Sequence, residues 1–540
     1  MSTVSTADEA ILPPGTLHLA EAGNENSIIL SPTPWPDVND PLNWSTRRKA
    51  VNFTLICFYV LITFAFVDIF YVAYEPIVED IGMTYGVYNS ATALQYAGLA
   101  VGCFCLMPLV YRFGRRPVYL FSLVVQLASA IWSAKVKTNG EILASNVLMG
   151  LGGAISEAIV QVTIADLFFV HQYATMNGIF LLMQGVGAYL GPVAAGYIVE
   201  AQGWRWMWWW CAIFLAVSLV TVLFFYEESV YTPVLCVGAA ATDTAGTDGH
   251  AMDDAPPATK KGFVERNADA ELARSTTLTS LPPTPMKPLR QRLALVTLTP
   301  VPVFRHLYQP LVVFFRFPAV MYTAITYGTL LMTFSVLSSL YSSIMVNPPW
   351  NFTPAQIGLF TIASFIGTVI GAFLITMVSD RSIIWLARRN GGLYEAEMRL
   401  YPAIPGAFIC SAGILMTGIG LAQEAPWLFI AFGTAIYALG FMVCADTALS
   451  YLTDIYRTIL GDALVGVILV RNGLSVVILF ALTPWLDAMG VQNLTILLAM
   501  LVLVLLMLPV PLLIWGKKLR VWSTPAYRHY AKLQPLHRGM

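Results

Sequence analysis

Charge is what this sequence has least of: Asp, Glu, Lys and Arg together make up 11% of its 540 residues, against roughly 25% in a soluble globular protein. With 57% hydrophobic residues and a mean hydropathy of +0.68, a water-soluble domain is excluded. The alternation of polar and apolar positions that marks a membrane barrel is missing from the long apolar runs. Motifs of bond-making chemistry are missing as well. There is no pair of His and acid at metal spacing in the apolar runs, no nucleophile elbow, and no phosphate-binding glycine loop after a strand. The seven cysteines are scattered, and Cys57, Cys103, Cys105 and Cys211 lie inside apolar runs as small packing residues. These absences predict a chain that is not an enzyme and uses no metal or cofactor. The formal net charge of -1 points to no nucleic-acid partner. The N-terminal stretch carries acids and prolines without a basic start and short apolar core, so no cleavable signal peptide is expected.

What remains is helix. Apolar runs recur near the ~20 residues that a helix needs to cross a bilayer, at roughly 50–74, 88–110, 117–136, 142–165, 177–200 and 206–226. A second set follows at roughly 312–340, 355–378, 402–422, 427–450, 462–484 and 493–515. The sequence therefore predicts an all-α membrane protein of about twelve transmembrane helices in two six-helix halves, residues 50–231 and 312–515. Residues 1–49 and 516–540 would be cytosolic tails, and 232–311, rich in Ala, Thr, Pro and charge, a largely disordered cytosolic loop. With the N-terminus inside, Arg47, Arg48, Lys49, Arg112, Arg115, Arg116, Arg381, Arg388, Arg389, Arg399 and Lys517 all fall inside, as the positive-inside rule asks. "GWRWMWWW", residues 203–210, then falls at an outer boundary as an aromatic belt. A monomer in the plasma membrane is the expected setting, with a glycosylation candidate at Asn351 of Asn351-Phe352-Thr353.

Three motifs carry a resemblance. "GAYLGPVAAG", residues 187–196, places Gly187, Gly191 and Gly196 along one span with Pro192 in its middle; small residues let another helix approach, and proline can bend the span. It resembles the fifth-span antiporter motif of the drug:proton antiporter branch of the major facilitator superfamily, with Ala195 departing. The resemblance implies that this span packs on the eighth, where Gly367 and Gly371 stand at the same spacing. "PLVYRFGRRPVYL", residues 108–120, resembles the superfamily's loop signature after span two: Arg112, Gly114, Arg115 and Arg116 match, while Met107 and Tyr111 stand where the family has Gly and Asp. "NVLMGLGGA", residues 146–154, is similar to the fourth-span signature, with Asn146 in place of the family's buried Arg. "DPLNWSTRRK", "YEES", "YEAEMRLYPAIPG" and "YLTDIYR" look like a fungal branch containing multidrug exporters and polyamine or cation carriers.

Carboxylates inside the apolar runs are the candidate site. On a helix, Asn146, Gly150, Gly153, Glu157 and Gln161 share one stripe that is small or polar. An ionised acid near the midplane costs about 2.5 kcal/mol on insertion scales, so Glu157 should face a cavity and serve as a proton or substrate-cation site, or else hydrogen-bond a neighbouring helix. Asp166 points the opposite way and marks the cytosolic end. Asp68, toward the outer end of the first span, is open to solvation or function, and Asp446 in the tenth span likewise. Arg471 and Asn472 fall mid-span, where Arg471 needs either an acid or an anionic substrate. Tyr322, Thr326 and Tyr327 could line a cavity; Gln95, Gln126 and Gln184 read as helix-to-helix hydrogen bonders. The resemblance implies a proton-coupled exporter of a small organic molecule working by alternating access. Uptake of organic cations such as polyamines, and a receptor that no longer transports, are the alternatives.

Overall fold

The computed structural model describes residues 13–18, 37–231, 286–294, 296, 303–391 and 393–532. Among these, eleven helical runs are long and apolar enough to cross a membrane: Thr46–Ile81, Tyr85–Phe113, Arg116–Lys135, Asn139–Leu167, Thr175–Gln202, Trp204–Phe225, Pro318–Ile344, Pro354–Arg389, Ala396–Ala422, Trp427–Ile455 and Leu460–Ala531. The last run holds two crossings. Its helix breaks at Gly490, whose φ of 72° and ψ of 169° no helix adopts, so spans eleven and twelve meet there and the count is twelve. We call the end of the bundle that carries Arg48, Arg115, Arg399 and Lys517 the basic end, and the end with Trp204, Trp350 and Trp427 the far end.

Local chemistry sets the span boundaries. Thr84 and Thr138 accept hydrogen bonds from Val87 N and Glu141 N to start spans two and four, and Thr353 with Gln356 forms a reciprocal cap ahead of span eight. Span two stops at Gly114, which holds a φ of 98° and lets the chain turn into span three at once. The first span is not one straight helix: Thr46–Asp68 ends at Asp68, and a 3-10 turn, Phe70–Ala73, leads into Tyr74–Ile81. The second half starts before residue 312, because helix Val303–Arg316 precedes span seven. Residues 232–285, the bulk of the expected disordered loop, lie outside the described residues.

Lipid gives no hydrophobic force between helices, so close backbone approach at small residues holds them together. A Cβ on Gly150 would run into the Gln95 carbonyl of span two, and one on Gly413 or Gly440 into the backbone of the neighbouring tenth or ninth span. At the far end the two halves touch through polar and aromatic side chains. Tyr85 and Asn89 of span two bond the Ser339 hydroxyl of span seven at 2.8 and 2.6 Å, Asn89 also donates to Thr483 of span eleven at 3.0 Å, and the Tyr71 and Tyr341 rings meet edge to face. Spans five and eight pack mainly along the far-end part of span five, the π turn Val186–Leu190 and helix Gly191–Gln202. Helix Val170–Gly185, toward the basic end, packs on spans one and four instead, and a Cβ on Gly178 or Gly185 would meet nothing within 4 Å. A short antiparallel pair, β1 (Thr16–His18) with β2 (Leu393–Glu395), joins the N-terminal segment to the loop between spans eight and nine.

Candidate functional site

Glu157 lies on Ile155–Leu167, the basic-end helix of span four, and Arg471 on span eleven. Each stands about 15 Å from the basic end of its helix at ~1.5 Å per residue, Glu157 ten residues before Leu167 and Arg471 eleven after Leu460. Matched depth lets them meet. Glu157 Oε1 and Arg471 Nη2 form an ion pair with 8% and 11% of the respective side chains exposed, and it joins the two halves. Of the two readings of Arg471, the acid partner is the one present. Glu157 Oε2 has no hydrogen-bond partner among the described residues.

Other acids converge on this pair. Asp68, the last residue of helix Thr46–Asp68, interacts electrostatically with both Glu157 and Arg471. It is partly buried, not a solvated outer residue. Gln95 fixes that helix end by donating to the Val67 carbonyl at 2.8 Å. Tyr96 feels Asp68, Arg471 and Glu157 together and accepts from Ser335 Oγ of span seven at 2.9 Å. On the other side Tyr327 lies in electrostatic reach of Asp446 and Arg471, and Cys103 in reach of Glu157 and Arg471. Asn472 is fully buried with both amide atoms unpartnered among the described residues. Gln161 is partly exposed one turn beyond Glu157. Tyr96 and Cys103 belong to this neighbourhood, and sequence reasoning missed them: an aromatic and a small thiol in an apolar run carry no signal of their own.

Several expectations change. The small stripe of span four divides, since Gly150 seats span two and Gly153 faces Val67, Leu99 and Thr63. Asn146 turns back to the Ile142 carbonyl at 2.9 Å. Gly367 and Gly371 face Ala435 and Leu439 of span ten, not span five. The glycine of span eight that meets the antiporter-like motif is Gly358, against the Pro192 carbonyl; Gly196 meets Pro354, and Thr361 donates to the Tyr189 carbonyl at 2.7 Å. Gly187 and Gly191 seat span one at Leu61 and Ala65. A π turn stands directly before Pro192, where proline supplies no N–H to close an ordinary helical turn. Tyr322 meets Tyr451 edge to face and is buried among spans seven and ten.

The basic loop also differs from a mere charged surface. Arg115 is buried and pairs with Asp166 at 3.0 Å, and Ser229 donates to the same carboxylate at 3.3 Å. Asp166 is therefore a buried partner, not only an end marker. Burial alone would lower the Arg115 guanidinium, but the facing Asp166 and Glu228 outweigh it and hold it above its ordinary value. Arg116 donates to the Leu223 and Leu293 carbonyls, and Glu228 accepts from the backbone N–H groups of Arg115 and Arg116 at 3.0 Å each. A side chain at Gly114 would collide with that Glu228 carboxylate, so glycine is required there twice over. Arg112 is exposed above the Phe113 ring. Asn351 is exposed at the far end with a φ of 47°.

No group of three or more His, Cys, Asp or Glu among the described residues could hold a metal ion. The sequence aligns with Protein HOL1 of Saccharomyces cerevisiae at 28% identity over 99% of this chain and all of that one. An uncharacterized MFS-type transporter of Schizosaccharomyces pombe is 29% identical over 93% of this chain and 90% of its own, and MFS-type transporter penM of Penicillium rubens is 26% identical over 94% and 93%. The fold is similar to a D-xylose-proton symporter, with a TM-score of 0.55, 13% identity and 91% of this chain and 99% of that one covered. It is also similar to a POT family transporter in complex with 5-aminolevulinic acid, with a TM-score of 0.57, 15% identity and 88% and 96% covered. The Major Facilitator Superfamily model matches residues 56–478, and with two six-span halves meeting around a buried ion pair, this chain belongs to that superfamily of secondary transporters.

Proposed function

We propose that the protein carries a small organic cation across the membrane and couples its movement to protons through Glu157. The observation that supports this is the charge balance of the centre: Asp68 and Glu157 gather around one guanidinium, Arg471, and Tyr327 lies in reach of both Arg471 and Asp446. Two carboxylates against one fixed cation leave an excess of negative charge, which is costly in the membrane unless a proton or a cationic cargo offsets it. Arg471 occupies Glu157 while the cargo is absent. A proton on Glu157 would weaken that pair and let the halves rock about the midplane, and tyrosines such as Tyr96 and Tyr327 give the cargo aromatic faces. The arginine-rich basic end would face the cytosol together with both termini, and the contacts of Tyr85, Asn89 and Tyr71 would close the outer side.

Export of a neutral or weakly charged metabolite is a second reading, favoured by the antiporter-like span with Gly187 and Gly191 against span one and Gly196 against span eight. Reconstituted vesicles with an imposed pH gradient separate the two. A labelled organic cation such as spermidine should move, and a protonophore should stop it. Movement of uncharged hydrophobic compounds without movement of any cation would refute the cation reading, and the sign of the response to the gradient gives the direction.

A further inference from the structure

We propose that His306 is a second proton-binding site, at the basic end, which latches the two halves together when it is charged. His306 sits on helix Val303–Arg316 just before span seven and is 3% exposed. Its ring stacks on Tyr111 of span two, with centroids 4.7 Å apart and planes 30° apart, so the contact crosses from one half to the other. On its other side Nδ1 lies 3.7 Å from Asp462 Oδ1, at the start of span eleven. That is too long for a hydrogen bond, and Nδ1 has no hydrogen-bond partner among the described residues. Tyr111 stands where the resembled loop signature has an acid, and its hydroxyl sits over Gly461, the residue before Asp462.

The surrounding groups fix what a proton does there. Span two brings Tyr111, with Cys103 in its electrostatic reach; the loop after it brings Arg115, whose guanidinium lies 5.9 Å from the Tyr111 ring; span four brings Asp166, and span eleven Asp462. Gln309, one turn along from His306, is buried with its amide nitrogen unpartnered among the described residues. Arg115 is already neutralised by Asp166, so Asp462 is the carboxylate beside the imidazole. Histidine is the side chain whose charge changes between about pH 5 and 8. A proton turns its Nδ1 into a charged donor aimed at Asp462, and it converts the stack on Tyr111 into a cation on an aromatic face. Both effects tie span two to span eleven. Acid on the basic side therefore holds this seam shut, and neutral pH loosens it, independently of the cargo and of Glu157.

The test is a double-mutant cycle on the full-length purified protein, read as melting temperature at pH 5.5 and pH 8. His306→Phe keeps the ring stack and removes the proton. It should lower the melting temperature by about 2 °C at pH 5.5 and leave it unchanged at pH 8. Against an Asp462→Asn background the pH 5.5 effect should largely disappear, and against Tyr111→Leu it should shrink, because part of it crosses between the halves. If His306→Phe gives the same change at both pH values, or the same change with Asp462 removed, the proposal is wrong. Should His306→Phe fail to fold, Asp462→Asn alone carries the test: equal effects at pH 5.5 and pH 8 overturn the proposal, and an effect larger at pH 5.5 than at pH 8 supports it.

Discussion

The ion pairs at the basic end close each half on itself, whereas the pair at mid-membrane joins the halves. In the N-terminal half, Asp166 takes Arg115, Glu227 takes Arg48 and, from the segment between the halves, Arg292, and Glu228 caps the start of span three. In the C-terminal half the same three elements, the loop after the second span and the ends of the fourth and sixth, are joined with part of the polarity reversed. Asp454 of span ten takes Arg399 and the Tyr394 hydroxyl, but the helix that follows span twelve supplies the cation, with Arg520 bidentate on Glu397 at 2.7 and 2.6 Å and Lys517 on Glu395 at 2.6 Å. Among the described residues, Arg471 with Glu157 is the ion pair between side chains of opposite halves. Pairs inside a half can last through a cycle in which the halves move as bodies. A pair across the halves has to be remade whenever they part.

The largest effect is expected from Arg471→Ala, which strands a buried carboxylate at the centre. Breaking a buried pair costs about 3–5 kcal/mol, so the melting temperature should fall and flux vanish, while Glu157→Gln with Arg471→Gln should regain folding without pH-dependent flux. Arg115→Ala should cost a similar or slightly smaller amount by stranding Asp166, about 3 kcal/mol, yet any flux that survives should keep the wild-type pH profile. A pH profile altered as much by Arg115→Ala as by a change at the centre would break the distinction between the two kinds of pair. Glu157→Gln sharpens it from the other side: the fold should remain, since a neutral amide of the same shape leaves a polar oxygen facing Arg471, and the dependence of transport on pH should flatten. Unchanged rate and pH dependence in that variant would make Glu157 structural.

The smallest effect concerns Glu227. Burial alone would raise its carboxyl, but hydrogen bonds from Arg292 and Arg48 outweigh it and hold the group below the ordinary carboxylate range. A lowered folded value means that its stabilisation is fully present above the unfolded value, about pH 4.3, and is lost as pH falls through the folded value. Glu227→Gln should therefore lower stability at pH 7 and narrow the difference from wild type in acid. A difference that grows toward low pH would contradict the pairing.

Much of this was legible one residue at a time. Glu157 stood out because an acid in an apolar run is expensive wherever the helix goes, and Arg471 stood out for the same reason. That they belong to each other was not legible, because spans four and eleven lie far apart in sequence and nothing local relates their depths. Asp166 was placed on the right face, away from Glu157, but the arginine that reaches it comes from another loop. Gly358 was overlooked in favour of Gly367 and Gly371 because spacing within one helix does not say which neighbour that face meets. His306 gave no signal in a segment that reads as polar linker.

By itself the sequence determined the solvent, the number of spans, the two halves and the loop signatures, because hydropathy, helical length and glycine conformational freedom act within one stretch of chain. Tertiary structure alone decided which acid holds which base. In a low-dielectric bundle a charge is tolerable only beside its partner, and partners are brought together by the packing of distant helices.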